Sequence, residues 1–262
     1  MLALNAWAQT PPQTPPPFLM VQYNKVAPEH AAAFEDAVKT QLAKVMQVRA
    51  NEGAVTLWAS SKMLFPAGSD AKYNYVLATV YKGVPPLEPV APEVEKDWTK
   101  AGLKRAAFVE RMHALGAVVV KREIWRGLET AGPFEAGDLI RIDAKKVTVA
   151  RDYVDMERNV YKAVWSERIK QGAMKSWALF AVQLPGGEDR PYSFVTVQGF
   201  KDEQQMLGPA SIPYSATWKS VYPNRDVYDV QKKIAAVSHT TTVDVAKVQV
   251  VVTAPKTTST LR

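Results

Sequence analysis

Apolar residues recur at helical spacing in two stretches of the chain. The first carries Phe34, Val38, Leu42 and Val45, the second Tyr153, Met156, Val160 and Val164. They predict helices over residues 28–51 and 150–171. Short apolar runs with strand character precede them, "FLMVQYNKV" over 18–26 and "DLIRID" over 138–143. Gly53 and Gly172 follow them, where a left-handed residue ends a helix at little cost only if it is glycine. Two alternating segments come next in each half, over 54–65 and 73–81 and over 173–184 and 192–200. The links between them, "PAGSDAK" and "PGGEDRP", are rich in turn formers and predict hairpins. A second helix over 98–115 or 226–236 and a last strand over 117–125 or 243–252 complete each half.

The two halves are copies. An ungapped offset of 119 residues aligns 34–83 with 153–202, with thirteen identities in fifty positions. They include Arg49/Arg168, Gly53/Gly172, Trp58/Trp177, Pro66/Pro185, Gly68/Gly187, Tyr73/Tyr192 and Val76/Val195. Duplication explains such a match, and each copy reads β-α-β-β-α-β, the ferredoxin-like unit. That unit places both helices on one face of its sheet and leaves the other face bare. The predicted fold is α+β, with two ferredoxin-like βαββαβ repeats packed sheet to sheet as an intramolecular pseudo-dimeric α/β barrel. The expected organisation is a Pro-rich N-terminal segment over 1–17, repeat 1 over 18–129, repeat 2 over 138–253 and a tail over 254–262.

On this layout the chain resembles the dimeric α/β-barrel superfamily, which includes antibiotic-biosynthesis-type monooxygenases, NIPSNAP-like proteins and haem-degrading monooxygenases. The stretch "ERNVYKAVWSERIKQGAMKSWALFAVQLPGGEDRPYSFVTVQGF" over 157–200 is similar to a family of uncharacterised exported bacterial proteins with the same Trp…Pro-Gly-Gly…Tyr layout. The resemblance implies the fold over about residues 18–253 and carries no assigned chemistry from the nearer family. Its haem-degrading members imply an Asn on the first strand, a Trp near the end of the third and a His on the second helix. Asn24 and His113 match in type and approximate place. Tyr81 stands where the Trp is expected, and Asp143, Phe200 and His239 occupy the corresponding places of repeat 2. No cofactor is therefore expected. The cofactor-independent members imply Trp, Tyr, Asn and Arg around a quinol-like substrate.

Strand alternation divides residues between two faces. Small aliphatics such as Val76, Ala78, Val80, Val195 and Val197 suit the helix-packed side, and the aromatic and polar mixture suits the space between the sheets. This assigns Tyr75, Thr79, Tyr81, Phe194, Thr196, Gln198 and Phe200 to the barrel interior, joined by Gln22 and Asn24 and, as their equivalents, Arg141 and Asp143. Of these, Gln22, Asn24, Tyr75, Thr79, Tyr81, Arg141, Phe194, Thr196, Gln198 and Phe200 are the candidate ligand-binding residues. Trp58 and Trp177 read as structural anchors, because both halves need the same core. A small apolar or aromatic molecule between the sheets is the function expected first. A cofactor-independent monooxygenase-type oxidoreductase and a fully packed structural or interaction module are the alternatives.

Composition narrows this further. The chain has 262 residues, 47% of them hydrophobic and none cysteine, which removes thiolate catalysis and disulfides. The formal net charge is +7, but the basic residues are scattered with acids nearby, so no nucleic-acid partner is expected. His30, His113 and His239 lie in separate segments with no metal-ligand spacing, and no nucleophile, phosphate-loop or dinucleotide motif occurs. No catalytic residue and no metal site are assigned, and no membrane span is expected. A monomer or weak homo-oligomer is expected. Ala6-Trp7-Ala8 fits a small-x-small cleavage site before a polar, Pro-rich stretch, the expectation being a shortened signal and a periplasmic or secreted protein.

Overall fold

The computed structural model describes residues 17–68, 71–87, 92–187, 189–208 and 212–255. Repeat 1 contributes β1 (Phe18–Lys25), β2 (Val55–Phe65), β3 (Tyr75–Tyr81) and β4 (Val118–Ala131). Repeat 2 contributes β5 (Leu139–Val147), β6 (Ser176–Leu184), β7 (Phe194–Phe200) and β8 (Ser238–Thr253). The eight strands close into one barrel in the order β1-β3-β2-β8-β5-β7-β6-β4, every neighbouring pair antiparallel. Exchanging the two repeats leaves this circular order unchanged, as an internal two-fold requires. The last strand of each repeat pairs with its own first strand on one side and with the other repeat's second strand on the other, so β4 joins β6 and β8 joins β2. The predicted architecture is present, with the sheets joined edge to edge into a single ladder.

Helices cover the outside. In repeat 1 α1 (Ala31–Ala37) runs through a π-helical turn at Val38–Leu42 into α2 (Ala43–Asn51). In repeat 2 α5 (Ala150–Met156) runs through a π turn at Glu157–Tyr161 into α6 (Lys162–Lys170). The π turns fall at duplicated positions. The second helix predicted for repeat 1 is two, α3 (Pro92–Lys100) and α4 (Arg105–Ala114), separated at Gly102, which has φ +72°. Repeat 2 has α7 (Glu203–Leu207) and α8 (Tyr214–Val221) before the predicted α9 (Val227–Val237). No helix among the described residues is long and apolar enough to cross a membrane. The segment expected to hold a signal remnant lies outside the described residues.

Three packing layers follow. Trp58 and Tyr75, both almost fully buried, pack with Phe34, Val38 and Met46 beneath α1–α2. Trp177 packs with Tyr153, Leu179 and Phe194 beneath α5–α6. Leu19, Val21, Val76, Ala178, Phe180, Val195 and Val197 meet inside the barrel. The two tryptophans are thus the structural anchors that their duplication implied.

The face assignment is the reverse of the one expected from side-chain size. Val76, Ala78, Val80 and Val197 border the barrel interior, whereas Tyr75, Tyr81, Phe194 and Phe200 lie in the helix-packed clusters. The reason is geometric. A helix resting on a twisted sheet stands about 10 Å away, a gap that long aromatic side chains fill. A closed eight-stranded barrel has an interior of fixed radius, which small and β-branched residues line. Register corrects a second expectation. Asn24 lies opposite Tyr75 in β3, and Lys145 opposite Phe194 in β7. The first strands are therefore offset by 121 residues, and the equivalents of Gln22 and Asn24 are Asp143 and Lys145.

The hairpin glycines separate cleanly. Gly68 and Gly187 have φ +95° and +105°, while Gly186 has an ordinary backbone. Gly187→Ala is expected to cost about 1 kcal/mol or more through backbone strain alone, since its Cβ would meet no neighbour, and Gly186→Ala close to nothing. Thermal melts of the two variants check this; a Gly186→Ala variant less stable than Gly187→Ala would refute it.

Candidate functional site

The barrel is hollow. A cavity of about 1010 Å³ runs between β1, β2, β3, β4, β5, β6, β7 and β8. Its walls are apolar, with Val21, Ala59, Val80, Phe134, Ile140, Ala178, Phe180 and Val251 among them. The volume lies at the upper end of the range in which proteins hold small molecules, and the wall chemistry is that of such pockets. At one end the lining becomes charged, with Arg126 and Glu129 from β4 and Arg158 and Lys162 from the π turn and α6. Glu129 takes Arg158 Nε at 2.5 Å and Lys162 Nζ at 2.5 Å. Burial pulls its carboxyl up, but the hydrogen bonds from Lys162 and Arg158 outweigh it and hold the carboxyl below the ordinary value.

The other end is closed by side chains gathered on one carboxylate. Glu123 is buried inside the barrel and accepts from Tyr23 Oη at 3.0 Å, Trp125 Nε1 at 3.0 Å and Tyr192 Oη at 2.9 Å. Lys121 Nζ lies 2.8 Å from the same carboxylate and over the rings of Tyr23 and Tyr192. Beyond Tyr23 and Trp125 lies a second chamber of about 550 Å³, lined in part by Tyr73, Ala144, Tyr192, Thr242 and Asp244. Tyr73 Oη donates to Asp244 Oδ2 at 2.5 Å. Tyr23, Trp125 and Ile142 line both chambers and form the partition.

The internal two-fold organises these groups. Val21 lies opposite Glu123, and Ile142, its equivalent, opposite Asp244. Glu123 and Asp244 are therefore counterparts, as are Tyr73 and Tyr192. Each duplicated tyrosine donates to the carboxylate of the other repeat, so the two bonds cross between halves. Around this shared pair the halves differ. Repeat 1 has Tyr23, Lys121 and Trp125 where repeat 2 has Ala144, Thr242 and Ala246. Bulk fills one side and space is left on the other, which is the second chamber.

Burial, with the charge of Glu123 next, holds the Tyr23 hydroxyl far above its ordinary pKa. Burial with Asp244 does the same for Tyr73, and burial with Glu123 for Tyr192. All three stay protonated as hydrogen-bond donors through the ordinary pH range. Burial also raises Asp244, against the pull of Tyr73 and Lys121. Its second oxygen makes no hydrogen bond among the described residues, so it can accept a proton from a molecule in the small chamber. No group of three or more His, Asp or Glu side chains suited to a metal ion exists among the described residues.

None of the ten residues assigned to ligand binding from the sequence lines either chamber. Gln22 and Asn24 lie on the outer face of β1, Gln22 Nε2 donating to Asn24 Oδ1 at 2.9 Å and Arg122 Nε to Gln22 Oε1 at 3.1 Å. Tyr75 donates to Glu35 at 2.6 Å on α1. Thr79, Thr196 and Gln198 share the outward face with Tyr75, Tyr81, Phe194 and Phe200, which the helices cover. Arg141 Nε binds Asp143 at 2.8 Å, also outside. The haem-type constellation does not assemble, because Asn24 lies opposite Tyr75 and Tyr81 opposite Phe18, at the two ends of β3 and about 20 Å apart at strand rise. The signals that mark the true lining were present: the Tyr73/Tyr192 identity, and one acid in each last strand, Glu123 in "KREIW" and Asp244 in "TTVDVAK".

A further buried acid sits outside the barrel, in the π turn of repeat 2. Glu157 is buried beside Tyr153 and Trp165, and its Oε2, Tyr153 Oη and Trp165 Nε1 make no hydrogen bond of normal geometry. Burial pushes its carboxyl up to about 7, with Tyr153, Lys145 and Trp165 pulling the other way and Asp143 reinforcing burial. Repeat 1 has Val38 at this place.

Two outcomes follow from these carboxylates. Glu123→Ala strands three ring donors in the interior, takes the carboxylate from Lys121, and is expected to cost about 3–5 kcal/mol. Asp244→Ala, which strands one hydroxyl, should cost about 1–3 kcal/mol; urea unfolding of both checks the order. For Glu157 the folded carboxyl binds its proton more tightly than the unfolded one, so wild-type stability should fall as pH rises from about 4.5 through about 7. Glu157→Gln should remove that loss, gaining on the order of 1–3 kcal/mol relative to wild type between pH 5 and pH 8. Equal pH slopes for the two proteins would contradict it.

No family model and no curated protein matches the chain. Solved structures do. A "putative monooxygenase" from Fusobacterium nucleatum aligns with a TM-score of 0.56 at 11% identity, covering 91% of this chain and 95% of its own. Another from Lactobacillus acidophilus aligns with a TM-score of 0.51 at 12% identity, covering 92% and 97%. An anthrone oxidase-like protein aligns with a TM-score of 0.50 at 10% identity, covering 93% and 95%. At such identities the likeness is one of fold, and that fold is the pseudo-dimeric α/β barrel over nearly the whole chain.

Proposed function

We propose that this protein binds a small, largely apolar or aromatic molecule inside its barrel. The observation that carries this reading is the cavity of about 1010 Å³ with apolar walls, open at one end and stopped at the other by a hydrogen-bonded partition. A packed structural module would fill this space, since protein interiors leave few voids larger than a water molecule. Polar groups are few and sit at the two ends, an arrangement that orients a ligand whose body is held by area.

A second reading, cofactor-independent oxidation of the monooxygenase type, is favoured by Asp244. Such chemistry begins with a base that takes a proton from an electron-rich substrate, which then reacts with dioxygen. Asp244 borders a chamber, is held by one tyrosine and has an oxygen to spare. The two proteins of like fold named "putative monooxygenase" add support at the level of architecture.

The test is titration with planar apolar probes, for example a naphthoquinone. Binding should quench Trp125 fluorescence and raise the melting temperature by several degrees at about 100 times Kd, where mass action adds about 2.7 kcal/mol. Ala178→Trp, which places a large ring in the cavity, should abolish both effects. Failure of every probe to stabilise the wild-type chain would refute the binding reading. Dioxygen uptake with a phenolic substrate, lost in Asp244→Asn while probe binding persists, would distinguish the oxidase reading from binding alone.

A further inference from the structure

We infer that the molecule held in the barrel is an amphiphile with a carboxylate head, its apolar body in the cavity and its head at Arg126, Arg158 and Lys162. The inference rests on the binding reading above and adds the ligand's charge and its direction.

Three cationic side chains border the open end of the cavity against one acid, Glu129. The wall behind them is apolar as far as the partition, so a ligand's charge is accommodated at this end and not in the middle. Arg126 makes no ion pair with an acid among the described residues. Arg158 and Lys162 are both tied to Glu129, yet each keeps donors to spare. The guanidinium has five N–H groups and the ammonium three, and the contacts with Glu129 use only part of them.

Glu129 matters in two ways. It is largely buried, its side chain 13% exposed, so it holds the two cations at fixed positions beside the opening instead of letting them extend into water. It also cancels only one of the three positive charges. A second carboxylate arriving at the opening meets prepositioned donors and a local excess of positive charge. Charge-assisted bonds from arginine to carboxylate are among the stronger hydrogen bonds available, and less so where water screens them. The inner end offers no competing anion site. Tyr23, Trp125 and Lys121 there are already engaged by Glu123.

A matched pair of probes tests this on the full chain. Anthracene-2-carboxylate and its methyl ester share a fluorescent body and differ in the head. Both should bind wild type and both should be excluded by Ala178→Trp. The acid is expected to bind at least about tenfold more tightly than the ester at low salt, and to lose that advantage between 50 and 500 mM NaCl, concentrations at which screening lengths become short. Arg126→Gln, which breaks no ion pair among the described residues, should weaken the acid severalfold and leave the ester unchanged. Arg158→Gln with Lys162→Gln should do so more strongly. Equal affinities for acid and ester, or an acid affinity insensitive to salt and to Arg126→Gln, would overturn the carboxylate assignment while leaving the binding reading intact. No binding of either probe would instead overturn the binding reading on which it stands.

Discussion

A strand in a sheet has two edges and two faces, and all must be satisfied. One ferredoxin-like unit of this chain leaves an apolar sheet face bare and two strand edges unpaired. Nearly every other feature follows from how the second unit meets these needs. The bare faces become the inside of one barrel. The free edges become the β2–β8 and β4–β6 ladders. Those ladders require long last strands, and β4 and β8 are the longest among the described residues, at 14 and 16 residues. Helices remain outside, where Trp58 and Trp177 fix them to the sheet.

Closure also explains why the interior is hollow. Eight strands fix a barrel's radius regardless of which side chains point inward. With valine, alanine and isoleucine at most inward positions the walls do not reach across. Filling occurs where Tyr23, Trp125 and Phe180 project, and there the ring donors need partners, which Glu123 supplies. The buried charge and the empty space are thus two results of one choice of lining. Replacing Glu123 by a hydrophobic residue would leave Trp125 and two tyrosines to be satisfied by other means.

The fold was legible because repetition and periodicity are properties of the sequence alone. The 119-residue offset, the helical spacing at Phe34–Val45 and Tyr153–Val164, and the left-handed Gly53 and Gly172 after those helices all survive in the structure. The candidate site was not legible because strand alternation separates two faces without saying which is inside. Size decided the assignment, and size misleads here, since Tyr75 and Phe194 reach outward to helices while Val76 and Val195 face in. A charged residue at a strand's inward phase was the better guide. Glu123 and Asp244 share their strands' phase with Trp125 and Ala246, so placing those acids inside would have inverted every face correctly. The crossed tyrosine–carboxylate bonds depend on pairing between repeats, which no local pattern records.

The unequal surroundings of Glu123 and Asp244 have a consequence for how such a barrel can change. When two identical chains form it, every substitution appears twice, and a residue that improves one chamber is imposed on the other. Joining the copies in one chain removes that bond. Tyr23 and Trp125 can close one half while Ala144 and Thr242 line the space left in the other. The linkage between the halves thus does more than hold them together: it lets a symmetric architecture acquire an entrance and a floor.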